Sequence, residues 1–448
     1  MAVIGVVADD FTGTASAGVL VARTGAKTGL FFDAAKVNEF QEKGRLDAVY
    51  VSSNSRHLPP QKAYEAVADA TKGLQKLGVK YYSKKIDTTM RGGIGYEIDA
   101  MLETLGGDKI AVMVTAMPAS RRICVGGHSV IDGTILTETS VAKDVITPVQ
   151  ECYIPELIQK QSKYSVELIP LKEVLKGEEH LKEILQKTRL AGNRIIIVDA
   201  ISMEHVDLIA KTCVDLRWDV LAVDPGPFTM KMSYYRGVIG IEVPKKENSA
   251  VKTGDKTVLL MVGSANPSTK TQMERLCESN KRTVSIHASA KEFAAGSGRA
   301  ESEIRRVTEA VLTAIKKASA PEAVIVETAL HGEVVDLRKE DEHYNYEPGT
   351  SSRMINTGLA IVTEQVLDAV GQAKIAGLML TGGDTMESIC RRIGVACIQA
   401  LDHIVAQVDV GRMIGKYDGL PVVVKGGFCG YEDVAIDIVD RIFAENAE

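Results

Sequence analysis

The chain has 448 residues, 45% hydrophobic and 25% charged, a balance typical of globular domains and a length that favours two cores over one. A formal net charge of -6 lacks the basic excess of a general nucleic-acid binder, and no apolar run approaches the eighteen residues of a membrane span. Seven cysteines without CxxC spacing argue against a zinc cluster or a disulfide framework, so reduced thiols and a cytoplasmic location are the expectation.

The first predicted element is the apolar run Ala2 to Ala8 of "MAVIGVVADDFTGTASAG", a buried strand that stops at Asp9 and Asp10 and gives way to a small-residue helix. It has no basic region before it and ends in aspartates, so it does not read as a signal peptide. Neighbouring strand residues point to opposite sides, so one aspartate can enter a crevice while the other caps the helix or holds a partner. A second strand, "DAVYVSS", leads into "SSNSRH" with Arg56 and then the amphipathic helix "PPQKAYEAVADATKGLQKL". The segment "YYSKKIDTTMRGG" brings Lys84, Lys85, Asp87, Thr88 and Arg91 to a turn before the next helix. Strand "IAVMVTA" runs into "TAMPASRR", and "CVGGHSVIDG" reads as a loop carrying His128. The helix "GEEHLKEILQKTRLAG" and the strands "RIIIVDA" and "DVLAVD" complete this half.

A polar, Lys-rich stretch follows, and the alternation restarts with "TVLLMVGSANPST", "EAVIVET", "AGLMLTGGDT" and "LPVVVKGGFCG", with "EPGTSS" capping a helix between. The expected architecture is α/β: two α/β domains with mostly parallel sheets and a ligand cleft between them, spanning 1–243 and 257–448 with a linker at 244–256.

Ligands of open α/β sheets bind at the carboxyl ends of strands. In the first half those ends are charged. A carboxylate such as Asp10 beside Arg56, Lys85 and Arg91 stays ionised and can accept a proton from a substrate hydroxyl. Arginine grips carboxylates through paired hydrogen bonds, so the loop suits a small polyhydroxy acid. The bland alternative is helix capping for both aspartates and a solvated charge run for the loop. In the second half the ends are glycine and hydroxyl: Ser264, then Gly382, Gly383, Asp384 and Thr385, then Gly426 and Gly427. Three strand–glycine–helix turns in one domain point to phosphate, hence to a nucleotide. No GxxxxGK[ST], GxGxxG or protein-kinase motif set is present. His57, His128 and His331 lack metal-ligand spacing, so no protein metal site is predicted; His128 is the strongest functional candidate of the three. Mg²⁺ bound mainly through phosphates stays compatible.

The runs "VADDFTGTASAG", "SSNSRHLPPQKAYEA", "SKKIDTTMRGGIGYEIDAML" and "GGHSVIDGTILTET" resemble, in this order, the N-terminal domain of the four-carbon acid sugar kinase family. "GSANPST", "TGGDT" and "KGGFCGYED" resemble its C-terminal nucleotide-binding domain. The resemblance implies ATP-dependent phosphorylation of the terminal (C4) hydroxyl of D-threonate, D-erythronate or a 3-oxo-tetronate. It implies that Ser264, Gly382 to Thr385, and Gly426 or Gly427 hold ATP, and that Asp10, Arg56, Lys85, Asp87 and Arg91 face the acid sugar. Where many relatives carry GGET and KSGNFG, this chain has Gly-Gly-Asp-Thr and "KGGFCG", which leaves backbone amides as the phosphate donors; "VDPGPFTMK" also departs, in a loop placed to bear on substrate choice. Asp10 and Arg91 are the expected catalytic pair, with Asp9, Arg56, Lys84, Lys85, Asp87 and Thr88 around the substrate, ATP and Mg²⁺ as cofactors, and a homodimer by base rate. The rival readings are an Mg²⁺-dependent phosphatase and a non-catalytic sugar-acid binding protein.

Overall fold

The computed structural model describes residues 2–42, 44–144, 147–241, 255–317, 319–331 and 334–447. Two compact units divide the chain, Met1–Val243 and Pro244–Glu448. Apart from Asp255 and Lys256, the expected linker lies outside the described residues.

Unit 1 contains β1 (Ile4–Ala8), β2 (Thr28–Phe31), β3 (Ala48–Ser52), β4 (Tyr81–Lys85), β5 (Ile110–Met113), β6 (Arg122–Val125), β7 (His128–Ile131), β8 (Thr134–Ile135), β9 (Val166–Ile169), β10 (Ile195–Val198) and β11 (Val220–Asp224). The main sheet is parallel, in the order β2-β3-β1-β4-β11-β5-β10-β9. β1, β3, β10 and β11 are buried throughout, which is why they read as nearly unbroken apolar runs, whereas the central β4 carries Ser83, Lys84 and Lys85. From β1 the chain works outward to β2 and returns to β3 on one side, then crosses to β4 on the other. This reversal makes β1 the topological switch point, where a crevice opens beyond the strand ends. Register brings those ends level: Ala8 lies beside both Ser52 and Lys85, and Lys85 beside Asp224.

The stretch expected as a loop around His128 is instead an antiparallel ribbon, β6-β7-β8. Its two turns, Gly126-Gly127 and Asp132-Gly133, have positive φ at both residues, the geometry that two-residue hairpins require. His128 therefore opens β7, its ring nitrogen 3.0 Å from the Gly126 carbonyl oxygen.

Unit 2 contains β12 (Thr257–Val262), β13 (Thr283–His287), β14 (Ala323–Glu327), β15 (Ile375–Thr381), β16 (Val395–Val405), β17 (Val408–Gly415) and β18 (Pro421–Lys425). They are ordered β13-β14-β12-β15-β18-β17-β16; the first five are parallel, whereas β17 runs antiparallel to both β18 and β16. A helix follows "EPGTSS" as expected, over Thr350–Lys374 with a break at Gly371, but its serines and threonine do not cap it. Gly349 sits there in the left-handed conformation, and Asp341 reaches across to accept from the Gly349 and Ser351 amides at 2.6 and 2.7 Å. Among the described residues no helix is long and apolar enough to cross a membrane.

Candidate active site

In unit 1, Asp9, Asp10, Arg56, Lys85, Asp87 and Arg91 converge beyond the ends of β1, β3 and β4. Arg56 is their hub. Its Nε donates to Asp9 Oδ2 at 2.7 Å, its Nη1 lies 2.6 Å from Asp10 Oδ2, and its Nη2 lies 3.7 Å from Asp87 Oδ1. Lys85 Nζ stands 3.9 Å from Asp9 Oδ1 and directly over Gly13, where a Cβ would strike both it and Asp10. Arg91 closes the far side: its Nε donates to Asp87 Oδ2 at 2.7 Å and its Nη1 to Asp144 Oδ2 at 3.4 Å.

The two aspartates divide their tasks differently from a simple capping-or-crevice choice. Asp10 does both: it is the N-cap of the helix Phe11–Ala22, accepting from the Gly13 amide at 2.7 Å, and it is the more exposed of the pair. Asp9 is buried behind it. Burial alone would raise its pKa, yet the charges of Arg56, Lys85 and Lys84 hold it below the usual carboxylate value. Burial is likewise overcome at Asp87, by the Arg91 hydrogen bond and the charges of Arg56, Arg91 and Lys85, so it too remains ionised. Between Asp87 and Arg91 the buried Met90 adopts φ 59°, a strained left-handed conformation held by the cluster around it.

Thr88 is half-buried at this turn; Thr89, beside it, donates to Asp87 Oδ2 at 2.5 Å. Lys84 is not part of the open cluster, contrary to expectation. It alternates with Lys85 along β4, so it points into the interior. There it pairs with Glu97 at 2.8 Å, both side chains no more than 1% exposed, and donates to the Val7 and Lys85 carbonyls. Arg56 also borders a pocket of about 540 Å³ that reaches Gly92, Gly93 and Tyr96 at the N-terminus of the helix Ile94–Leu105. That helix start is capped from outside by Gln161, whose Oε1 accepts from the Gly95 amide at 2.9 Å.

In unit 2, the turns after β12, β15 and β18 lie together. Gly263, Gly382, Gly383, Asp384 and Thr385 line one pocket of about 190 Å³, with Asn356 and Thr328. Gly382 donates its amide to the Lys425 carbonyl at 3.4 Å, and a Cβ on Gly427 would lie 2.6 Å from Ser264 Oγ, so the third turn abuts the first two. The helix Gly383–Arg392 aims its N-terminus here, and only at Gly382, with φ 96°, does the turn demand glycine by conformation. Asp384 is exposed, whereas Thr385 is buried and its hydroxyl is committed to Asn356 Oδ1 at 2.7 Å. Thr385 thus shapes the turn from inside. Among the described residues, no group of three or more His, Cys, Asp or Glu side chains is placed to hold a metal.

A profile described as a sugar-binding N-terminal domain matches residues 4–232, and one described as a nucleotide-binding C-terminal domain matches 259–435. A D-erythronate kinase of Heliobacterium modesticaldum is 34% identical over 444 residues, covering 98% of this chain and 97% of that one. The chain belongs to the four-carbon acid sugar kinase family. A D-threonate kinase of Salmonella typhimurium is 27% identical over 96% of both chains, and a 3-oxo-tetronate kinase of Actinobacillus succinogenes 28% identical over 61% of this chain and 64% of its own. All three are phosphotransferases with an alcohol acceptor, and so is this family member. A solved structure titled a putative tRNA synthase from Salmonella typhimurium LT2 shares the fold, with a TM-score of 0.79 at 19% identity over 97% of this chain and 98% of the other.

Some residues at these strand ends escaped the sequence reading of this family member. Asp144 extends the Arg91 side of the cluster from a distant, irregular segment without any motif. Arg122, in "TAMPASRR", is half-buried; burial lowers its pKa against the pull of Asp87, and its Nε has no hydrogen-bond partner. Its signal was visible, a basic pair just after a buried strand. Lys425, the residue before Gly426, is 2% exposed and burial lowers its pKa to about 8. Asp224 in "VDPGPFTMK" is internal, accepting from the Gly226, Phe228 and Thr229 amides at 2.7–3.1 Å, so that loop is braced.

Proposed function

We propose that this chain transfers the γ-phosphoryl group of ATP to the terminal hydroxyl of a four-carbon sugar acid, yielding the 4-phosphate and ADP. One observation carries the reading: a charged carboxylate–guanidinium cluster crowns the sheet of one unit, and three glycine turns crown the sheet of the other. In this scheme the hydroxyl oxygen attacks the γ-phosphorus, the bond to the β–γ bridging oxygen breaks, and the hydroxyl proton passes to Asp10. Asp10 is the most exposed carboxylate around Arg56 and is held in one orientation by Gly13 and Arg56. Asp9 and Asp87 fix the guanidinium groups, while Lys85 and Arg91 lie beside the acid's oxygens. Gly383 and Gly427 offer backbone amides and Ser264 a hydroxyl to the phosphates, while the Gly382 and Gly426 amides brace the turns by donating to the Lys425 and Gln407 carbonyls. Mg²⁺ would neutralise phosphate charge; Asp384, an exposed carboxylate on the pocket lip, is the hard oxygen donor present to meet it.

D-erythronate is the first acid to try, because the relative bearing that name is 34% identical over nearly the whole chain. A coupled assay of ADP release across D-erythronate, D-threonate and 3-oxo-tetronates, with phosphorus NMR to locate the new ester at C4, tests the proposal. Acid-independent ADP release, or none with any four-carbon acid, would overturn it.

A further inference from the structure

The loop 426–431 has an inside-out polarity that the glycine pattern alone does not produce. Lys425 donates to the Gly426 carbonyl at 2.9 Å and the Gly427 carbonyl at 3.3 Å. Thr269, buried in the helix Pro267–Glu278, donates to the Gly427 carbonyl at 2.5 Å. One turn further along that helix, Gln272 Nε2 takes the carbonyls of Cys429, Gly430 and Tyr431 at 3.1, 3.2 and 3.1 Å. The Gln272 side chain is 1% exposed and its Oε1 has no partner, so the amide is retained for its donors. Among the described residues, the Gly427 and Phe428 amides have no hydrogen-bond partner, and no carboxylate lies within 4 Å of the Lys425 ammonium.

Glycine peptides rotate freely, so an unrestrained Gly-Gly turn can present carbonyl oxygens as easily as amides. Carbonyls facing a polyphosphate would repel it. We infer that Lys425, Thr269 and Gln272 are positioning residues that draw the loop's carbonyls inward and so aim the Gly427 and Phe428 amides at the phosphates of the nucleotide. The inference rests on the nucleotide reading of this site. It assigns specificity to three residues that need not touch the ligand: they set the preference for a phosphorylated nucleoside over the bare nucleoside.

Calorimetry with the full-length protein tests it, using a non-hydrolysable ATP analogue and adenosine as paired probes. Thr269→Val is nearly isosteric and removes the hydroxyl; Gln272→Leu removes the amide. Each is expected to weaken analogue binding about tenfold, the scale of one or two lost hydrogen bonds, and to raise the KM for ATP. Adenosine affinity and the KM for the acid should stay unchanged, and Thr269→Ser should restore the analogue. Lys425→Met should give the largest loss of the three. If Thr269→Val and Gln272→Leu keep the wild-type ratio of analogue to adenosine affinity, or weaken both probes alike, the positioning role is wrong. If the wild-type protein binds neither probe, it is the nucleotide reading that fails.

Discussion

Replacing Lys84 by Met separates a structural lysine from a substrate-facing one. Its ammonium is enclosed by Glu97, the Val7 carbonyl and the Lys85 carbonyl, and Glu97 also accepts from Ser55 Oγ at 2.5 Å. Methionine fills the volume but leaves the Glu97 carboxylate buried without its cation. Removing one partner of a buried pair costs about 3–5 kcal/mol, which raises the unfolding constant by roughly two to four powers of ten. Adding Glu97→Gln removes the orphaned charge, so the double variant should regain most of that loss. The single tryptophan, Trp218, lies in unit 1 beneath the Arg189 guanidinium, so its fluorescence in a urea titration reads the unfolding of this unit. A loss below about 1 kcal/mol, or a double variant no better than the single one, would refute the argument. So would a raised KM for the acid in a variant of undiminished stability, since that would put Lys84 at the substrate after all.

Asp10→Asn should cut turnover by about 10²–10⁴-fold, the range for a lost general base, while asparagine keeps the cap and stability changes little; normal turnover with lower stability would leave capping as its only role. Gly13→Ala should lower both stability and activity, because the new methyl would strike the Lys85 ammonium and the capping Asp10 carboxylate; unaltered stability and kcat/KM in this variant would show that neither group depends on the space at Gly13. Asp9 and Asp87 are held below the ordinary carboxylate value, so their stabilisation is complete above the unfolded-state pKa and is lost as pH falls through the lower folded values. Trp218 fluorescence should therefore report unit 1 weakening below about pH 4, and Asp87→Asn should blunt that loss; an equal acid slope in the variant would count against it.

Much of this was legible because parallel strands buried on both faces end where their apolar runs end. The polar residues just past those ends, Asp9-Asp10, Arg56, Asp87 and Arg91, are therefore readable as neighbours from the sequence alone. The failures have physical causes. Alternation along a strand was applied to Asp9 and Asp10 but holds equally for Lys84 and Lys85, and only one lysine of that pair can face the crevice. The β6-β7-β8 ribbon was announced by Gly-Gly and Asp-Gly between short apolar runs, a hairpin signal masked by the small polar residues around it. Lys425 leaves no such signal: the glycines beside it mark backbone donors, whereas its ammonium acts on their carbonyls, which only the folded loop shows. Asp144 carries no pattern at all, and Arg122 only the basic pair after a buried strand; the tertiary fold brings them to Arg91 and Asp87.

The cluster around Arg56 nearly cancels its own charge: the carboxylates of Asp9, Asp10 and Asp87 face Arg56, Lys85 and Arg91. An arriving anion accordingly feels little net attraction from afar, and its capture depends on short-range fit. Binding should tolerate high ionic strength, and simple inorganic anions should compete poorly. The hydroxyl pattern of the guest, more than its charge, then decides admission.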